Sequence, residues 1–306
     1  MTTLVSLSPE FIMYRIRPAS LISIALMVSV MLPFNGCKRP DAGSTKSLQI
    51  KGSDTMVNLG QAWAEEYMKT HPGISIAVTG GGSGTGITAM INNTCDIAEV
   101  SREMKQVEID MAIKKGFTPT KFVTALDGLA IIVHPSNPVS QLRIDQIGEI
   151  FRGRITNWNQ VGGKDAKIVL LSREVNSGTH VYFKEHVLRN GKAEGKEEFS
   201  PDALLLPSSQ AISDEVMQNV NAIGYLGMGY VSSKDKAISV AKDAASPFIA
   251  PTIESVSDNS YPISRPLIMY AKGTPKGLTK DFLDFVHSPA GQAIVKKLDF
   301  VPITGS

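Results

Sequence analysis

Two Ser-Gly-Thr triplets, Ser83-Gly84-Thr85 and Ser177-Gly178-Thr179, gather groups suited to binding and orienting a charge. Each follows a strand-like run, Ile74 to Thr79 in the first case and Lys167 to Leu171 in the second, and each opens an amphipathic stretch. Glycine lets backbone N–H groups come close to a ligand. The start of a helix leaves N–H groups unpaired and carries the positive end of the helix dipole. Hydroxyls alongside add donors. That combination makes an anion site, and its repetition points to one small oxyanion held from two sides. Arg173, at the end of the second strand, adds a rigid fork of donors, each charge-assisted bond being worth roughly 1.5–3 kcal/mol. A third loop, Gly52-Ser53-Asp54-Thr55-Met56, follows the strand-like Leu48 to Lys51. Ligands of α/β sheets bind beyond the carboxyl ends of strands, where all three loops are expected. Taken singly, the glycine run reads as a tight turn and Arg173 as a surface partner of Glu174; their coincidence favours a site.

Other chemistries find less support. Gly80 to Gly86 lacks the lysine of a P-loop and fits Gly-x-Gly-x-x-Gly in no frame. Thr85 stands where a Gly-x-Ser-x-Gly elbow needs glycine. Ser233-Lys234-Asp235-Lys236 and Ser257-Asp258-Asn259 match two signatures of a penicillin-interacting acyl-transferase. The third, Lys-Thr-Gly, is absent, because Lys272-Gly273-Thr274 has another order, and no helical pattern aims Lys236 at Ser233. The histidines, His71, His134, His180, His186 and His287, show no metal spacing. A good anion site without a catalytic set favours binding over chemistry, and no cofactor or metal is expected. The formal net charge of +2 does not suggest a nucleic-acid partner.

The elements that would position the loops alternate. Strand 48–51 leads to a helix carrying Met56, Leu59, Trp63 and Tyr67 on one face, ended by Pro72. Strand 74–79, a helix over 85–92, a strand at 96–100 and a helix over 103–115 follow. Phe122 to Leu126 and Leu129 to Val133 read as two strands flanking Asp127-Gly128, near a domain crossing. Ile144 to Phe151 reads as a short helix, then come strand 167–171, helix 179–189, a charged solvated loop at 192–198, helix 208–220 and a strand at 223–226. Leu267 to Tyr270 is another apolar run, and two helices split at Pro289 close the chain. Such alternation gives an α/β fold.

The N-terminus differs. Arg15 and Arg17 precede an uncharged run from Ala19 to Phe34 that ends at Asn35-Gly36-Cys37. This is the layout of an export signal, with Met13 as an alternative start, and it is shorter than a membrane span of about 20 apolar residues. An uncleaved anchor helix is the alternative. Gly36-Cys37 resembles a lipoprotein cleavage site, with Phe34 where leucine is usual. Residues 1–36 are therefore expected to be a signal peptide, and 37–47 a lipidated N-terminus at Cys37 with a polar tether. Of the two cysteines, Cys95 would then have no partner and reads as a small buried apolar residue.

An ordered series of motifs resembles the phosphate-binding proteins of phosphate ABC importers, the PstS family in its short bacterial type, from about Leu48 to Thr304. It comprises Gly52-Ser53-Asp54-Thr55-Met56, Gly81 to Gly86, Asp96-Ile97-Ala98 with Ser101-Arg102, and Ile155-Thr156-Asn157-Trp158. It continues with Ser172-Arg173-Glu174, Ser177-Gly178-Thr179, Ile223 to Gly227, Tyr261 to Leu267, and Phe300-Val301-Pro302. The resemblance implies a two-lobed periplasmic-binding-protein fold of type II. Lobe one would be 48–127 plus 263–306 and lobe two 128–262, with two crossings at a hinge and the ligand in the interlobe cleft. It also implies that Thr55, Met56 through its backbone, Ser83, Arg173, Ser177, Gly178 and Thr179 hold phosphate. Where another branch has an aspartate that accepts the phosphate proton, this chain reads Ser101-Arg102. Ser101 and Arg102 are thus candidate ligands, and the acceptor must come from elsewhere, Asp127 first and Asp54 second. Asp54 also suits a helix N-cap.

The expected protein is an exported, lipid-tethered monomer that binds inorganic phosphate and passes it to permease subunits in the membrane. A carrier of sulfate or molybdate, or an enzyme or adhesin on the same fold, are the alternatives.

Overall fold

The computed structural model describes residues 46–303. The export segment and Cys37 lie outside the described residues. The folded chain begins slightly before the expected Leu48: β1 spans Lys46–Gly52, and Lys46 already pairs with Ile74. The helix α1 (Val57–Thr70) buries Leu59, Trp63 and Tyr67, with Met56 at its start, as the spacing requires. Each such side chain contributes about 1.5–3 kcal/mol by leaving water. The Trp63 indole N–H donates to the Gly291 carbonyl at 2.8 Å, tying this helix to the C-terminal region. β2 (Ile74–Thr79), α2 (Ser83–Ile91), β3 (Ile97–Val100) and α3 (Gln106–Lys114) continue the alternation.

The strand β4 runs unbroken from Pro119 to Val133. The two strands expected on either side of Asp127-Gly128 are therefore one. The dipeptide is no turn because its partners are strand partners: Asp127 lies opposite Arg265 and Gly128 opposite Ser264. A Cβ on Gly128 would come within 2.7 Å of Val256, so the glycine serves close packing.

Next come β5 (Gln141–Arg143), α4 (Ile144–Phe151), β6 (Val169–Arg173), α5 (Gly178–Phe183), β7 (Leu204–Leu206), α6 (Ser209–Gln218), β8 (Ala222–Gly227), β9 (Lys236–Ala237) and β10 (Ser239–Ala241). α5 passes into a π-helical turn over Lys184–Leu188 rather than continuing as one α-helix to 189. The chain closes with α7 (Ile253–Ser257), β11 (Ser264–Lys272), α8 (Gly277–His287) and α9 (Pro289–Lys297), the last with proline in its first turn, where its missing N–H costs nothing.

The main sheet has the order β2-β1-β3-β11-β4-β8-β6-β7, with β9 beside β4, and β5 and β10 form a separate pair. β1 is parallel to β2 and β3, and β6 is parallel to β7 and β8. β4 belongs to both regions: Pro119 to Gly128 pairs with β11, and Leu129 to Val133 pairs with β8. The apolar clusters divide at the same place. Two are built from residues within 48–125 and 267–300, two from residues within 129–263 together with Val301. No helix among the described residues is long and apolar enough to cross a membrane.

Candidate functional site

The carboxyl ends of β1, β2, β3 and β6 deliver hydroxyls to one buried spot. Thr55, after β1, and Thr179, in the first turn of α5, share a hydrogen bond of 2.9 Å between their Oγ1 atoms. Ser53 Oγ donates to Ser101 Oγ at 3.0 Å, and Ser101 Oγ lies 3.4 Å from Ser83 Oγ. Ser83 Oγ also accepts from the Ser101 N–H at 3.0 Å. Gly178 is seated against this group. A Cβ there would fall on Ser83 Oγ and lie 2.6 Å from Ser101 Oγ. Rotatable hydroxyls can each donate outward to an anion in place of the bonds they make to one another.

The two triplet loops touch directly. Gly84 N–H donates to the Asn176 carbonyl at 3.0 Å, and Asn176 Nδ2 donates to the Gly81 carbonyl at 2.9 Å. Gly82 takes φ +91, which favours glycine, and a Cβ there would also press on the Asn176 carbonyl.

Two arginine–aspartate pairs flank the hydroxyls. Arg173, 1% exposed, places Nη2 3.1 Å from Asp54 Oδ2 and donates to Ser209 Oγ and to the Pro207 carbonyl. Asp54 Oδ2 also accepts from the Ser209 N–H at 2.8 Å. Asp54 therefore does serve a helix start, but that of α6, distant in sequence, rather than its own α1. Burial lowers the Arg173 guanidinium pKa, opposed chiefly by the Asp54 charge.

Arg265 and Asp127 form the second pair, both side chains fully buried, at 2.8 Å. Asp127 Oδ2 accepts from Arg265 Nε and Nη2, and Oδ1 accepts from the Met228 N–H. Burial raises the Asp127 carboxyl above its ordinary value, and Arg265 pulls it back. The guanidinium also donates to the Ser101 carbonyl at 3.2 Å and reaches Thr55 Oγ1 at 3.5 Å.

Of the residues singled out from sequence, the structure brings together Thr55, Ser83, Ser101, Gly178 and Thr179. Arg173 joins them through Asp54, the neighbour of Thr55. The Met56 N–H is spent on the Ser53 carbonyl within a short 3-10 turn, and Ser177 Oγ caps α5 by accepting from the His180 N–H. Arg102 does not join the cluster. Its guanidinium holds Glu108 through both terminal nitrogens, at 2.8 and 2.7 Å, and donates to the Glu103 carbonyl. Asp127, first choice as a direct proton acceptor, makes no hydrogen bond to the cluster and is committed to Arg265 and Met228.

Sequence reasoning missed Ser53 and Arg265. The signal for Arg265 was present: a lone cation beside the apolar stretch Leu267 to Tyr270, with a lone carboxylate between the apolar runs that became β4. The Ser172–His180 contact, 3.4 Å, is not a nucleophile–base pair. Ser172 Oγ bonds Tyr225 at 2.7 Å, His180 packs on Phe199, and burial depresses the His180 pKa to about 4.

The fold and the strand-end site define a solute-binding protein. The PBP superfamily domain matches residues 39–290, and the chain belongs to that superfamily. Within it the chain belongs to the PstS family. It is 33% identical over 279 residues to phosphate-binding protein PstS of Pseudomonas aeruginosa, covering 86% of this chain and 84% of that protein. Identity to PstS of Bacillus subtilis is 31% over 301 residues, covering 93% of this chain and 94% of that one. A substrate-binding protein of Clostridium perfringens solved with bound phosphate superposes with a TM-score of 0.75 at 34% identity, covering 85% of this chain and 100% of its own. An ABC-type phosphate transport receptor from Vibrio cholerae gives 0.68 at 31%, covering 84% and 100%.

Proposed function

We propose that this protein binds inorganic phosphate and delivers it to the permease of an ABC importer, without turning it over. The observation that carries this reading is the buried set of hydroxyls on Thr55, Ser83, Ser101 and Thr179, drawn from separate strand ends and flanked by Arg173 and Arg265. The names and bound ligand of its relatives point the same way. The two sets of apolar clusters are read as lobes, about 48–127 with 263–306 and 128–262, that part to admit the ion and close over it. Export through the N-terminal segment and acylation of Cys37 would hold the protein at a membrane surface while the tether gives reach.

Titration calorimetry of the purified protein with phosphate, sulfate and molybdate tests the binding. One phosphate per chain and far weaker sulfate and molybdate are expected. Equal uptake of sulfate, or none of phosphate, would sink the reading. Mass spectrometry of the native protein is expected to show a mature chain beginning at acylated Cys37; an unmodified Cys37 in a chain starting at Met1 or Met13 would refute the anchor.

A further inference from the structure

We propose that Arg265 is a second cationic residue of the anion site, that it sets the site's charge, and that Asp127 acts on the anion through it. The proposal rests on the phosphate-binding reading above. Arg265 lies on β11 and Asp127 opposite it on β4, at the place where β4 passes from one set of apolar clusters to the other. The pair is completely enclosed. Its guanidinium hydrogen-bonds to both the Thr55 hydroxyl and the Ser101 backbone, two members of the hydroxyl cluster from different strand ends. The Tyr182 ring packs 5.6 Å from its guanidinium carbon, and Tyr182 Oη donates to the Ser264 carbonyl, which fixes the arginine from the other side. One Nη1 N–H of Arg265 has no partner among the described residues, because the four bonds it makes use Nε, one Nη1 hydrogen and Nη2. A buried guanidinium with an unspent donor beside rotatable hydroxyls has both the charge and the geometry to take an oxyanion.

A pair that only braces the sheet and a pair that sets the charge of the site differ in sign. Breaking a structural pair from either end weakens the protein and every anion alike. In a charge-setting pair the two ends oppose each other. Arg265→Gln removes the cation and its donors, and the enclosed Asp127, left without its counter-ion, takes up a proton, so the anion loses a positive partner. Asp127→Asn leaves a buried guanidinium without its counter-ion, and an entering anion relieves it.

Calorimetry of the parent and of Arg265→Gln, Arg265→Lys and Asp127→Asn with phosphate and sulfate separates these. Arg265→Gln is expected to weaken phosphate by about thirtyfold or more, the loss of one charge-assisted bond. Arg265→Lys keeps the charge but not the fork, so it should fall between Arg265→Gln and the parent. Asp127→Asn is expected to tighten sulfate by about fivefold or more, and sulfate should raise its melting temperature more than that of the parent. If Arg265→Gln stays within about threefold of the parent, or if Asp127→Asn and Arg265→Gln both weaken both anions, the proposal falls. Should Arg265→Gln fail to fold, Arg265→Lys and Asp127→Asn decide by the same signs. A parent that takes up no phosphate overturns the phosphate reading itself, which is a different result from variants that match a phosphate-binding parent.

Discussion

Glu99 is a carboxyl with no place for its charge. It sits on β3, two residues before Ser101, fully buried, and neither carboxylate oxygen has a hydrogen-bond partner among the described residues. Gly60 of α1 makes room for it, since a Cβ at Gly60 would collide with Glu99 Oε1. Burial pushes its pKa well above the usual carboxyl range. A raised folded-state pKa means that the acid is tolerated in its protonated form below its unfolded value, about 4.3. That tolerance is lost as pH climbs through the raised folded value. Glu99→Met, apolar and of similar length, is expected to stabilise the protein by about 1–3 kcal/mol at neutral pH, the cost of an unsatisfied buried polar group. The gain should shrink as pH falls to about 4.3, where both states hold the proton, leaving the smaller cost of a neutral carboxyl without a partner. Urea unfolding of both proteins at acid and neutral pH measures the gap, and a gap that does not change with pH would contradict the account. None of this was legible in the sequence. Glu99 stands in a strand whose other residues are apolar, and only the contact with Gly60, from a different element, shows that it points inward.

At the scale of elements, the loops that build the site are short and fixed by what they face. The residue at 178 must be glycine because its neighbours are not its own loop but Ser83 and Ser101. Gly178→Ala is expected to prop the two triplet loops apart and weaken phosphate by about tenfold or more, the usual 1–3 kcal/mol of overpacking. It should cost little thermal stability in the absence of phosphate, because the strain is relieved when the loops separate. Calorimetry and a melting curve of the same sample report both, and unchanged phosphate affinity would show that the loops do not close on Gly178. Much of this layer was readable beforehand. The periodicity gave β2 at 74–79 and α4 at 144–151 with their observed bounds, and the strand–loop–helix pattern put Ser83, Gly178 and Thr179 where they meet. Asp-Gly is a turn signal when only neighbours in sequence are considered, and on that ground alone β4 divides into two strands. What keeps it extended is Arg265, 138 residues further on, and a pairing of that range leaves no local trace.

Across the whole molecule, the residues that hold phosphate under the proposed function come from both sets of clusters, so affinity depends on how readily the two come together. Several contacts span them without involving those hydroxyls: the Arg173–Asp54 pair, the Ser209 N–H on Asp54, the Tyr230 hydroxyl on the Asp54 carbonyl, the Gly84 N–H on the Asn176 carbonyl, and the side-chain bonds of Asn176 to the Gly81 carbonyl and Thr85 Oγ1. The first two mix closure with charge, since removing Asp54 also frees Arg173 for the anion, and the two effects oppose each other. Asn176 is neutral and exposed, and its side chain bonds only across the gap, so it isolates closure. Exposed hydrogen bonds of this kind contribute about 0.5–1.5 kcal/mol. If the unliganded protein moves between parted and closed forms, Asn176→Ala lowers the closed fraction, and the apparent affinity falls in proportion to that fraction. A loss of about twofold to tenfold in phosphate affinity is expected, with an unchanged melting temperature, because neither set of clusters loses an apolar contact. Small-angle scattering of the unliganded variant should show a larger radius of gyration than the parent, and saturating phosphate should bring the two together. An affinity equal to that of the parent, or equal radii without phosphate, would mean that the Asn176 side chain does not bias closure, and the Arg173–Asp54 pair and the backbone contacts beside it would have to hold the two sides together.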